Sequence, residues 1–198
     1  MELNVKANVC RVLQMNKLAI AKFVIPFCLA GVAGVLFWLF TEPEVYATYA
    51  AVLTTYFFMP LFGTEAAIFA GLHPNFGIPL FPAALIAFMV FVDATLSLFL
   101  VWNLDYAKKI PYLGKLVEWT EAKGEKALRK YKWAERLGFI GLTAFVMIPF
   151  QYTGAAVGSI AGRILGMTSL MTWLAVVLGS FLRSTLITLV YMGVLAFF

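Results

Sequence analysis

A chain of 198 residues that is 63% hydrophobic and only 13% charged, with a mean hydropathy of +0.90, cannot be an ordinary soluble domain; it reads as a polytopic integral membrane protein. Its length leaves no room for a large soluble domain beside the membrane part. The net charge of +5 sits in basic loops, so it speaks to topology and anionic lipid and not to nucleic acid.

Residues 1–17 form a basic N-terminal segment with Lys6, Arg11 and Lys17. The apolar run from Leu18 to Phe40 is too long for a signal-peptide core and has no small-residue cleavage site, so it reads as a retained first transmembrane helix. Lys22 is near enough to the end of that helix to snorkel out. A short acidic link follows, with Glu42 and Glu44 flanking Pro43, which closes the 18–45 unit. The next apolar block, 46–72, is interrupted halfway by Pro60, Gly63, Thr64 and Glu65, residues that break a helix and tolerate a turn. A full crossing is expected at about 79–103. Between 104 and 137 lies the one long polar stretch, with nine Lys/Arg against five acidic residues. Val117, Trp119, Leu128, Tyr131 and Trp133 within it suggest either a basic interfacial helix or a solvated linker helix. The last block, 138–198, is interrupted in turn around Pro149 and the Gln151–Gly154 stretch, and ends in a second long crossing at about 168–198.

The two interrupted blocks are copies. Residues 53–77 slide onto 142–166 without a gap, and seven positions coincide. They pair Leu53 with Leu142, Thr54 with Thr143, Pro60 with Pro149, Thr64 with Thr153, Ala66 with Ala155, Ala67 with Ala156, and Gly77 with Gly166. Charge parity gives the orientation. Placing both basic segments in the cytoplasm requires an even number of crossings between them, yet three apolar blocks intervene. The interrupted block 46–72 must therefore enter and leave on one side, as a re-entrant hairpin from outside. The matching block 138–166 would enter from the cytoplasm. The expected architecture is all-α, an inverted-topology repeat of 46–103 and 138–198. Each copy holds one re-entrant hairpin and one transmembrane helix, which is the sequence trace of a secondary transporter.

Few ionisable residues lie well inside the apolar blocks: Glu65, Asp93, Arg163 and Arg183. A charge at the bilayer centre costs about 2.5–3.5 kcal/mol, so each should face protein or water and have a partner. Asp93 and Arg183 fall near the middles of the two long crossings, at nearly equivalent places in the copies, and an ion pair between them is expected. Glu65 stands at the first hairpin tip, where the second copy has Gly154. If the tips meet, Glu65 faces Gln151, Tyr152 and Thr153; with Arg183 committed to Asp93 it is expected to load and release protons, and the tips, with Thr64, are expected to form the substrate site. The alternative is a carboxylate that caps the broken helix. Arg163 is either an anchor at the inner interface or a contact for an anionic headgroup. Gly158 and Gly162, with Ala155, Ala156 and Ala161, form a small-residue packing face.

Cys10 and Cys28 are too far apart for a disulfide framework or metal spacing, and His73, beside Pro74, has no second ligand, so no metal or cofactor is expected. No metalloprotease, serine-hydrolase or nucleotide-loop motif is present, and the chain is not expected to be an enzyme.

The stretch from Pro60 to Ala67 and the stretch from Ile148 to Gly162 resemble the small multi-drug export protein family, which is distantly similar to the DedA-like (VTT/SNARE-associated) membrane proteins; the resemblance covers about residues 46–198. It implies paired re-entrant hairpins and acids at the positions of Glu65 and Asp93. The DedA-like pattern places arginines around the second hairpin's proline, and here the chain departs, with Phe150, Gln151 and Tyr152 in their place. The expectation is a proton-coupled transporter in the cytoplasmic membrane, exporting a drug-like or lipid molecule. Lipids and protons are its other partners, a homodimer is expected, and the N-terminus and the 104–137 loop are cytoplasmic. The alternatives are a lipid or polyprenyl-phosphate flippase or scramblase, and a non-transporting assembly scaffold.

Overall fold

The structure is a computed structural model that describes residues 2–59, 63–107, 132–149 and 154–193. Among these are seven α-helices and no strand: α1 Glu2–Phe40, α2 Pro43–Phe58, α3 Gly63–Leu72, α4 Pro82–Ala107, α5 Lys132–Met147, α6 Ala155–Ile164 and α7 Ser169–Tyr191. A short 3-10 turn at Pro74–Phe76 joins α3 to the approach of α4. Three apolar spans are long enough to cross a membrane, Ala21–Phe40, Pro82–Leu104 and Ser169–Tyr191, and they coincide with the crossings read from hydropathy. The others are short. Ten-residue α3 and α6 extend only about 15 Å at 1.5 Å per residue, half the thickness of a hydrocarbon core of about 30 Å.

Two boundaries differ from the hydropathy reading. The first helix starts at Glu2 and runs into the span without a break, because hydropathy reports which residues are apolar, not where a helix begins. The basic loop also yields ground at both ends: α4 continues to Ala107 and α5 begins at Lys132. A kink interrupts α5 at Gly138, where φ is +53°, a conformation that glycine adopts without steric cost. The second copy was expected to start at that residue. The interfacial or linker helix expected in the loop falls almost wholly outside the described residues.

Each sequence copy wraps its own apolar cluster. Tyr49, Val52, Ala67, Ile68, Leu80, Leu85 and Met89 draw together α2, α3 and α4. Leu142, Phe145, Val146, Ala155, Val157, Ala161, Ala175 and Val176 do the same for α5, α6 and α7. The clusters are joined by the long α4–α7 contact and by crosswise packing, α3 on α7 and α6 on α4. Thr54 and Thr143 each bond back to the carbonyl four residues earlier. Gly77 and Gly166 both have positive φ, +144° and +74°. The first helix of each pair ends at equivalent positions of the 89-residue displacement, Phe58 and Met147.

The small-residue face of α6 is packing, as the sequence suggests. A Cβ at Gly158 would strike Val146, one at Gly162 would strike Thr172 and Leu142, and one at Gly179 on α7 would lie 2.7 Å from the Thr143 carbonyl.

Helix α1 is the least embedded element, with only 6% of its membrane span buried, and it leans chiefly on α4. One polar contact fixes it there. Pro26 has no N–H, so the Lys22 carbonyl four residues earlier loses its helical donor. The buried Asn103 amide donates to that carbonyl at 2.9 Å and to its own Phe99 carbonyl at 2.9 Å. Asn103→Leu should lower unfolding stability in detergent by about 1–3 kcal/mol, because a buried carbonyl is left unsatisfied. In a Pro26→Ala background, where the Lys22 carbonyl regains a helical donor, most of that loss should vanish; a full loss in both backgrounds would refute the account.

Candidate functional site

The site is assembled where the interrupted helices approach the α4–α7 contact. Asp93 lies in the middle of α4 and is fully buried. Its carboxylate takes three donors from three directions. The Tyr56 hydroxyl, near the end of α2, donates to Oδ1, and the Ser180 hydroxyl on α7 donates to Oδ2. Arg183 Nη2, one turn further along α7, donates to the same Oδ2 at 3.0 Å. Arg183 is itself 3% exposed. The two lone charges of the long crossings thus stand together, and both hydroxyls satisfy lone pairs that an isolated ion pair would leave open.

The helix breaks bracket this node. A Cβ on Gly63 would lie 2.6 Å from the Tyr56 carbonyl oxygen, so only glycine allows α3 to start against the last turn of α2. That close approach holds the segment from which Tyr56 reaches Asp93. On the other side Gly154, the residue before α6, lies beside Arg183, whose Nη1 is 3.7 Å from the position a Cβ would take. Thr64 is buried in the first turn of α3. Glu65, the next residue, is half-buried, and no ion pair or hydrogen bond engages it among the described residues. Pro149 is exposed just beyond α5. Pro60, Gln151, Tyr152 and Thr153 lie outside the described residues, and with them the expected meeting of the tips.

Arg163 is placed apart from the node. Its Nη1 donates to the Met167 carbonyl at 3.2 Å, which ties the end of α6 to the turn before α7 and sets a cation at a helix C-terminus. His73 is structural, its Nδ1 accepting from the Asn75 backbone N–H and its ring stacking on Phe69.

Tyr56 and Ser180 were missed by the sequence reading. Ser180 had a signal: it is three residues before Arg183, on the face of α7 that also buries Thr172, Gly179, Ser184 and Thr188. Tyr56 had none, because its contact depends on how α2 lies against α4. Among the described residues, Thr172 Oγ1, Ser184 Oγ, Thr188 Oγ1 and Arg183 Nε on α7 are buried and have no hydrogen-bond partner. Elsewhere the chain's hydroxyls commonly bond back to the preceding turn, as at Thr54, Thr95 and Thr185. On the α7 face they do not. Further along the contact, the Ser97 and Ser159 hydroxyls are 2.8 Å apart and bridge α4 to α6.

No group of three or more His, Cys, Asp or Glu side chains that could hold a metal occurs among the described residues. The arrangement is suited to holding charge at depth.

Three crossing helices and four shorter apolar ones, organised around a buried ion pair, define a multi-pass membrane protein. The sequence profile of the family described as "Putative small multi-drug export protein" matches residues 61–186, well over half of the chain, and the chain belongs to that family. No curated protein and no solved structure matches it.

The geometry makes a sharp claim about the pair. Arg183→Met should destabilise by about 3–5 kcal/mol, because it strands a buried carboxylate. Asp93→Asn together with Arg183→Met should recover most of that loss. Thermal and denaturant unfolding of the four proteins in one detergent provides the cycle, and additive losses would show that the two residues do not act as a pair.

Proposed function

We propose that the chain is a proton-coupled exporter of a small amphipathic molecule in the cytoplasmic membrane. On this reading α2–α3 and α5–α6 are re-entrant hairpins of an inverted repeat. They enter from opposite faces, with the N-terminus and the basic loop in the cytoplasm. The family description supports export. One observation carries the coupling: a fully buried carboxylate at mid-span, held by a tyrosine from one interrupted pair and by an arginine beside the other. Intramembrane carboxylates of this kind are expensive and mark proton or substrate pathways.

Protonation gives the carboxylate a reason to move. Neutral Asp93 would hold Arg183 and the two hydroxyls less strongly, loosening α2 from α4 and α7 together. The buried hydroxyls of Thr172, Ser180, Ser184 and Thr188 form a polar face of α7 beside Asp93, which supports proton access along it. Glu65, half-buried at the start of α3 and unengaged among the described residues, is the proton carrier nearest the break. On this reading Thr64 and Gly154 belong to the same path, and Asp93 with Arg183 is the switch that Glu65 addresses.

Glu65→Gln should abolish uptake driven by a pH gradient in inverted proteoliposomes, while elution profile and melting temperature stay unchanged. Unaltered uptake would remove Glu65 from the mechanism. Movement of labelled lipid without any gradient would replace export by scrambling. Absence of all flux, with a copurifying membrane protein, would replace it by a scaffold role.

A further inference from the structure

We infer that a chamber between α1, α2 and α4, separate from the helix breaks, binds the uncharged aromatic body of the exported compound. This inference rests on the export reading. The chamber has a volume of about 760 Å³, within the range of about 300–1,000 Å³ typical of small-molecule sites. Among the described residues no Asp, Glu, Lys, Arg or His lines it, and eight of the nineteen that do are aromatic, which sets the chemistry of its occupant. A formally charged group placed there would lose its hydration and meet no counter-charge.

The rings are held at steep angles. Tyr49 is edge-on to Phe37 at 83° and to Phe88 at 67°, and Phe27 meets Phe99 at 70°. Such a frame offers both ring faces and ring edges, the surfaces against which another aromatic ring packs best. Five alanines and Gly34 stand among the other wall residues, with Leu53, Val92 and Leu96. The phenol hydroxyls of Tyr46 and Tyr49, neither engaged among the described residues, are the polar handles that would orient a neutral ligand. Entry is lateral, because α1, which forms one wall, is almost wholly unburied along its membrane span.

The chamber shares its walls with the node. Helix α2 turns Leu53 and Phe57 to the chamber and the intervening Tyr56 to Asp93. Helix α4 turns Phe88 and Val92 to the chamber and the adjacent Asp93 away from it. A ligand between α2 and α4 therefore presses on the two helices that the Tyr56–Asp93 bond holds together.

The test is equilibrium binding of N-phenyl-1-naphthylamine, a neutral aromatic fluorophore, to the full chain in lipid nanodiscs, with protein-free nanodiscs as background. One saturable site is expected. Binding should weaken roughly tenfold or more in Ala87→Phe on α4 and in Ala33→Phe on α1, each of which fills the chamber, and stay unchanged in Ile164→Phe, which lies outside it. Two filling variants guard against misfolding of one. Equal binding in both folded variants overturns the inference. Equally tight saturable binding of the anionic anilinonaphthalene sulfonate overturns the uncharged assignment, and equally effective displacement by a long-chain fatty alcohol overturns the aromatic one in favour of an acyl chain. No pH gradient is used. Intact binding without gradient-driven uptake would therefore overturn the export reading alone, and uptake without this binding would overturn the chamber alone.

Discussion

The structure depends on one constraint: a carboxylate in the middle of an apolar helix must be satisfied by protein on every side. Asp93 cannot face hydrocarbon, and a single arginine would leave lone pairs open. It therefore recruits donors from α2 and from two turns of α7, and the elements that deliver them are thereby fixed against α4. The glycine at position 63 follows from the same demand, since the start of α3 must lie against the Tyr56 carbonyl for the α2 end to sit where it does. A polar requirement at one residue thus organises contacts that apolar packing alone, with lipid as competent a solvent as the neighbouring helix, would leave loosely specified.

Much of the frame was legible in the chain. The three crossings could be read because each is a run of apolar residues of the right length. Asp93 and Arg183 stood out because charge is rare in such runs, and their near-equivalent positions in two copies suggested that they meet. Gly77 and Gly166 both take positive φ, at +144° and +74°, in the turns that precede the long helices. What could not be read depends on lateral packing. Tyr56 is one tyrosine among eight, and nothing local distinguishes it. Asn103 answers a missing donor eighty-one residues away, a relation visible only when α1 lies beside α4. The chamber was equally hidden, since its walls come from three helices and no motif marks it.

The distribution of polarity suggests why the chain keeps two distinct compartments. On the α4–α7 side the buried groups are hydroxyls, a carboxylate and a guanidinium, several of them without partners. On the α1–α2 side of α4 the surface is aromatic and carries no charge. A proton and an apolar molecule have opposite solvation needs, so a single cavity would serve one of them badly. On the export reading, dividing them between opposite faces of one helix would let each be solvated in its own way.

That division also specifies how the two could be coupled. Tyr56 and its neighbour Phe57 point to different compartments from the same turn of α2. On the export reading, loss of the Asp93 charge would weaken the hydrogen bond that seats that turn, and a ligand that displaced Phe57 would strain the same bond from the other side. By linkage the two effects would be reciprocal.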